Sequence, residues 1–189
     1  VFESSTNLLL YDFAQRAIKI VSKENAEINH ISLNDYFYSP AFFNDNNILL
    51  RWGVTDFENN PNQLIFNVYN YNDAQSVNEY NINNSFGIED VPFIYKSYEG
   101  DFVQNSEFSV YFSYSAGVLF IFDNQKLDFV KKIQTIDKTP PPKAGFIELG
   151  GGMKGLINTP AIQPFNDAVL DNENHLFLLN TITDKKTPQ

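Results

Sequence analysis

Apolar side chains in this chain recur at every second residue or in short unbroken runs, and not at the three- and four-residue spacing of a helix. Phe108, Val110, Phe112 and Tyr114 alternate with Glu107, Ser109, Tyr111 and Ser113. Successive side chains of a strand face opposite sides, so this is a half-buried strand. Leu64, Phe66 and Val68 alternate in the same way, and Ile18 and Ile20 flank Lys19. Residues 8–11, 48–50, 118–122 and 176–179 are unbroken apolar runs, which suit strands covered on both faces. No window of eleven or more residues carries a capped helical pattern. Phe, Tyr, Ile and Val favour strands, whereas Asn, Pro and Gly interrupt helices.

Turn residues stand between these runs. Asn44-Asp45-Asn46-Asn47, Ser115-Ala116-Gly117 and Asp171-Asn172-Glu173-Asn174 each separate two apolar segments. Asn, Asp and Gly accept the positive φ of tight hairpin turns. The strongly apolar strand begins near Leu8, Ile48, Val118 and Leu176, giving spacings of 40, 70 and 58 residues. Two long connections, residues 53–63 and 83–104, absorb the variation. A repeated antiparallel meander is the pattern of β-propeller blades. The expected fold is all-β: antiparallel four-stranded blades of a β-propeller, about three and a half of them, in one region over residues 1–189. A closed propeller needs at least about four blades, so the region is expected to belong to a longer chain. The alternative is a single β-sandwich, which strands at this spacing also fit.

Composition narrows the function. Eighteen Phe and 10 Tyr provide a core, which excludes a disordered chain. A net charge of −10 repels phosphate, so no nucleic-acid partner is expected. Without Cys there is no disulfide framework, zinc-thiolate site or thiol nucleophile. The longest apolar stretch, residues 116–122, is far shorter than the ~20 residues of a membrane-spanning helix. No signal peptide is visible, and an export signal or lipid-anchor Cys is expected upstream of Val1.

Two segments carry a family likeness. Gly117-Val118-Leu119-Phe120-Ile121-Phe122-Asp123 is followed by Phe129-Val130-Lys131-Lys132-Ile133, and then by a Thr135-Ile136-Asp137 step leading to Pro140-Pro141-Pro142-Lys143. Together these resemble the six-bladed, TolB-like β-propeller lipoproteins of Bacteroidetes, whose function is unknown. Tyr11-Asp12 and Phe122-Asp123 match the family's aromatic–Asp step, and Leu179-Asn180 is a variant of it. The resemblance implies a surface-anchored, mostly non-catalytic scaffold in the periplasm or at the cell surface of a Gram-negative bacterium, associated with the outer membrane. It supplies no catalytic residues.

The chemistry-bearing residues do not form a constellation. His30 and His175 lie far apart in sequence with no metal-ligand spacing, so no metal site is expected. Asp171-Asn172-Glu173-Asn174 lacks the Gly and bidentate Glu of a calcium loop and reads as a turn. Gly150-Gly151-Gly152-Met153-Lys154-Gly155 is not a phosphate loop, because Leu156 follows the last Gly. It reads as a flexible connection between blades, or a mobile loop over the propeller mouth. No cofactor motif is present, and no cofactor is expected. The loop acids Glu89, Asp90, Glu99 and Asp101 are the only pairs placed for glycoside hydrolysis. Arg51 and Trp52, the latter the only Trp, are the candidate binding residues, because exposed Trp and Arg favour binding hot spots. Asn83-Asn84-Ser85 fits a glycosylation sequon. The aromatic clusters of Tyr36, Phe37 and Tyr38 and of Phe93, Tyr95 and Tyr98 suit blade packing.

These readings lead to a non-enzymatic envelope β-propeller scaffold that binds another envelope protein or a glycan. A carboxylate-dependent carbohydrate-active enzyme and a carbohydrate-binding β-sandwich are the alternatives.

Overall fold

A computed structural model describes residues 2–3, 6–12, 14–15, 17–26, 28–32, 36–44, 46–53, 63–82, 91–160 and 162–180. Three four-stranded antiparallel sheets follow one another along the chain, each paired in sequence order. The first holds β1 (Phe2–Glu3), β2 (Asn7–Asp12), β3 (Ala17–Ser22) and β4 (Ile28–Ser32). The second holds β5 (Tyr36–Phe42), β6 (Asn47–Gly53), β7 (Ile65–Asn70) and β8 (Gln75–Asn81). The third holds β9 (Gly100–Gln104), β10 (Phe108–Ser113), β11 (Val118–Asp123) and β12 (Asp128–Gln134). Two hairpins complete the order: β13 (Lys143–Gly150) with β14 (Met153–Thr159), and β15 (Phe165–Leu170) with β16 (Leu176–Asn180). A single-turn helix, α1 (Ile94–Ser97), lies between β8 and β9 in the chain. It is too short to have left a helical period in the sequence.

The sheets are blades of a partial propeller. A sandwich buries one interior shared by two sheets; here a separate core lies between each pair of successive sheets. Leu9, Ile18, Ile20 and Ile31 of the first blade meet Phe42, Ile48 and Leu50 of the second. Leu49, Phe66 and Val68 on the opposite face of the second meet Tyr111, Phe120 and Phe122 of the third. Val110, Phe112 and Leu119 on the far face of the third meet Phe165 and Ala168 of β15. The unbroken runs explain themselves. Leu49 points into one inter-blade core while Ile48 and Leu50 point into the other. The first strands adjoin one another, β5 beside β9 and β9 beside β15, so β15–β16 are the first two strands of a fourth blade.

Two expectations need correction. The run beginning at Val118 is the third strand of its blade, whereas those at Leu8, Ile48 and Leu176 lie in second strands. The true second strand there is β10. Both β10 and β11 are buried on both faces, so apolar continuity cannot tell second from third. The connection expected over residues 83–104 ends earlier, because Gly100–Gln104 is strand β9.

Meander connectivity puts the start of β9, the β10–β11 turn and the end of β12 at one end of the third blade. This loop end also carries α1 and the β13–β14 arm. The opposite end is stitched by side-chain amides: Asn105 Nδ2 donates to Asp171 O and to Asn174 Oδ1, both at 2.7 Å.

Candidate functional site

The loop end is built from chain that the blades do not use. Between β12 and β15 the glycine-rich segment forms not a flexible connection but the β13–β14 arm, with Phe146 opposite Leu156 and Glu148 opposite Lys154. Gly150, Gly151 and Gly152 turn the arm at φ +94°, +62° and +81°, a conformation that glycine adopts without a Cβ clash. Two contacts seat the arm. The Phe146 ring meets Phe93 edge-on at 5.0 Å. Asn158 Nδ2 donates to Lys96 O and to Ser115 Oγ, each at 3.1 Å, tying the arm to α1 and to the β10–β11 turn.

Strand alternation gives the arm two unlike faces. Phe146, Glu148, Lys154 and Leu156 share one. Ile147, Leu149, Met153 and Ile157 share the other, and all four are exposed, Leu149 at 60% and Met153 at 65%. Gly155 lies on that face with the Leu149 side chain across it. An aliphatic face of this kind on an acidic chain is a surface that binding would cover.

Beneath the arm lies the buried polar machinery of the loop end. Arg51 is 2% exposed. Its guanidinium donates to Tyr95 O at 2.8 Å and sits 5.8 Å from the centroid of the Tyr111 ring. Arg51 therefore holds the connection around α1 onto the second blade from inside. Trp52 belongs to β6, with its backbone opposite Phe37; its side chain lies outside the described residues. Tyr111 donates through its hydroxyl to Tyr98 O at 2.9 Å, and burial pushes its phenol far above the usual range. Tyr114 donates to Asp101 Oδ2 at 3.3 Å, and burial with the Asp101 charge also holds it protonated. Glu99 pairs with Lys96. A phenol kept neutral this firmly serves as a hydrogen-bond donor, not as a base.

The remaining sequence candidates are dispersed. His175 Nδ1 lies 3.0 Å from Asp171 Oδ2. Asp171 Oδ1 accepts the N–H groups of Glu173 and His175, so this acid closes the β15–β16 hairpin turn. Asn44 Oδ1 closes the β5–β6 turn by accepting the N–H groups of Asn46 and Asn47, both at 3.0 Å. His30 is exposed on β4. Glu89, Asp90 and the Asn83-Asn84-Ser85 sequon lie outside the described residues, as do the side chains of Tyr36, Phe37 and Tyr38. Among the described residues no group of three or more His, Asp or Glu could hold a metal ion, and no helix is long and apolar enough to cross a membrane. Sequence reasoning missed the arm's aliphatic face. Its signal was Phe146-Ile147 and Leu156-Ile157 placed symmetrically about three glycines.

No family model matches the chain, and no curated protein does. Several solved structures align with it at low identity. Apo AztD from Citrobacter koseri aligns with TM-score 0.41 and 8% identity over 65% of this chain and 30% of that one. A glutaminyl cyclase from Myxococcus xanthus aligns with TM-score 0.46 and 9% identity over 83% and 66%. A protein of unknown function from Bacteroides caccae aligns with TM-score 0.43 and 8% identity over 93% and 67%. The chain thus spans from under a third to about two thirds of the length of these structures.

Proposed function

We propose that this chain is a non-enzymatic β-propeller scaffold of the bacterial envelope that binds a protein partner through the exposed face of the β13–β14 arm. The carrying observation is the cluster of Ile147, Leu149, Met153 and Ile157 on one side of that arm. Interface cores are apolar and depleted in charge, and this face has that chemistry. Its side chains are aliphatic and offer no ring to stack on a sugar, which favours a protein over a glycan. The seat on α1 and the β10–β11 turn fixes the arm's orientation, which lowers the ordering cost of binding. The envelope placement rests on the resemblance carried by residues 117–143.

A photo-crosslinking residue at position 149 in intact cells tests this reading. The expected result is one defined protein adduct in the envelope fraction, reduced at least tenfold when Met153→Ser and Ile157→Ser are added, since a buried hot-spot side chain contributes upward of about 1 kcal/mol. The denaturation midpoint of that variant should stay within about 0.5 kcal/mol of the parent, as for exposed positions generally. Adducts that persist in the variant, or form only with lipid or polysaccharide, would refute it.

A further inference from the structure

Beside its aliphatic face, the β13–β14 arm carries a second surface, the outer edge of β14. In the sheet order β14 has a single neighbour, β13. Among the described residues, no backbone group of another element pairs with residues 153–159. In a two-stranded antiparallel ladder, alternate residues of each strand turn their N–H and C=O away from the partner strand. The edge of β14 is therefore a row of open donors and acceptors, which templates another strand. Folded proteins commonly blunt such an edge with prolines, bulges or several charges. The seven residues of β14 contain no Pro. The irregularity in the ladder falls at the tip, between Glu148 and Gly150 of β13, and from Lys154 to Thr159 the register is unbroken.

Charge selects what pairs there. The chain holds 13 Lys and Arg against 23 acids, yet residues 126–159 hold six Lys against three acids. Two of these, Lys143 and Lys154, belong to the arm and are exposed. Neither joins an ion pair among the described residues. Lys154 is the sole charged residue of β14. In a strand added to this edge, the residue beside Lys154 falls on the Lys154 face. Its neighbours fall beside Met153 and Gly155 on the aliphatic face.

We propose that the arm takes up its protein partner as an extended strand added to β14, from a segment in which apolar residues alternate with acidic ones. The apolar side chains continue the face of Ile147, Leu149, Met153 and Ile157, and a carboxylate meets Lys154. Main-chain hydrogen bonds supply affinity and the alternation supplies specificity. A second copy of this chain is a poorer occupant. Pairing β14 on β14 would bring another lysine and no acid to Lys154, and would set two chains of net charge −10 side by side. This inference rests on the arm being the partner-binding surface, and has its own readout.

The probe is a synthetic, end-capped heptapeptide of alternating Val and Glu, added to residues 1–189. Amide hydrogen exchange followed by NMR reads the edge. Alternate amides of residues 153–159 should slow at saturation, as newly paired groups do. The amides of β8, an outer blade strand that carries Glu79, should not change. The same peptide N-methylated along one edge should give no protection in that edge's pairing. Lys154→Glu should weaken the Val–Glu peptide about fivefold and favour a Val–Lys peptide, because attraction across the strand pair becomes repulsion. Unprotected β14 amides at millimolar peptide, or equal protection by the Val–Glu and Val–Lys peptides, would overturn the inference. Slowing by phosphatidylglycerol vesicles and not by peptide would overturn it in favour of a membrane. A protein adduct at position 149 with β14 unprotected would sink this inference alone and leave the partner-binding face standing; absence of that adduct would sink the face itself.

Discussion

Arg51 shows how a residue can be conspicuous in sequence and act where sequence does not place it. Next to the only Trp and at the end of an apolar strand, it reads as a surface anchor; in the fold its guanidinium is enclosed and spends its charge on Tyr95 O and the Tyr111 ring. No local pattern reveals this, because the groups that satisfy it come from a connection and a blade more than forty residues away. Three tyrosines, Tyr80, Tyr111 and Tyr114, bear on the alkaline limit of the fold. Tyr80 is pushed up to about 12 by burial and by the Asp128 charge, and Tyr111 and Tyr114 are raised further, mainly by burial. A folded-state value above the unfolded one means that the native state keeps protons which the unfolded chain releases near pH 10. Their stabilisation is therefore complete below pH ~10 and lost as pH rises toward the folded values. For the fully enclosed Tyr111 the loss is about 1.4 kcal/mol per pH unit above ~10. Urea midpoints from pH 8 to 11.5 should hold and then fall from about pH 10, less steeply for Tyr111→Phe. A flat profile to pH 11.5 would contradict this assignment.

Among the elements, strands were legible and their rank within a blade was not. Period-two alternation and Asn-rich turns mark β2, β3, β6, β10, β11 and β16 correctly, since both are local consequences of pleat and turn geometry. The short first strand β9 was absorbed into a connection because Gly100 and Asp101 weaken its apolar signal. That glycine is required by closeness rather than by φ. A Cβ at Gly100 would sit 1.9 Å from Phe112 O, inside the β9–β10 pairing that sets Gly100 opposite Ser113. Gly100→Ala should therefore cost about 3 kcal/mol or more, at the upper end of single substitutions. Gly145→Ala on β13, where a Cβ meets nothing within 4 Å, should change stability by less than about 0.5 kcal/mol. Paired urea titrations separate the two, and equal midpoints would remove the steric argument.

At the scale of the molecule, stability concentrates between sheets. Phe66 is the hub of the second and third blades. Its ring lies 5.0 Å from Tyr111, 5.1 Å from Phe122, 5.7 Å from Phe120 and 5.8 Å from Phe102. Phe66→Ala should cost about 3–5 kcal/mol, the range for emptying a buried aromatic site. Hydrogen exchange should report loosening in β6, β7, β10 and β11 before β2 and β3, whose core is separate; uniform loosening would argue against distinct inter-blade cores. What the sequence determined alone is the strand content, the hairpin turns and the need for sheets covered on both faces, because pleat, turn preference and the burial of unbroken apolar runs act over a few residues. Tertiary structure alone decided which strand holds which rank, that Arg51 is enclosed, and that the glycine-rich stretch becomes an arm with an aliphatic face. Each of these depends on which distant side chain arrives opposite, and periodicity carries no information about a neighbour from another blade.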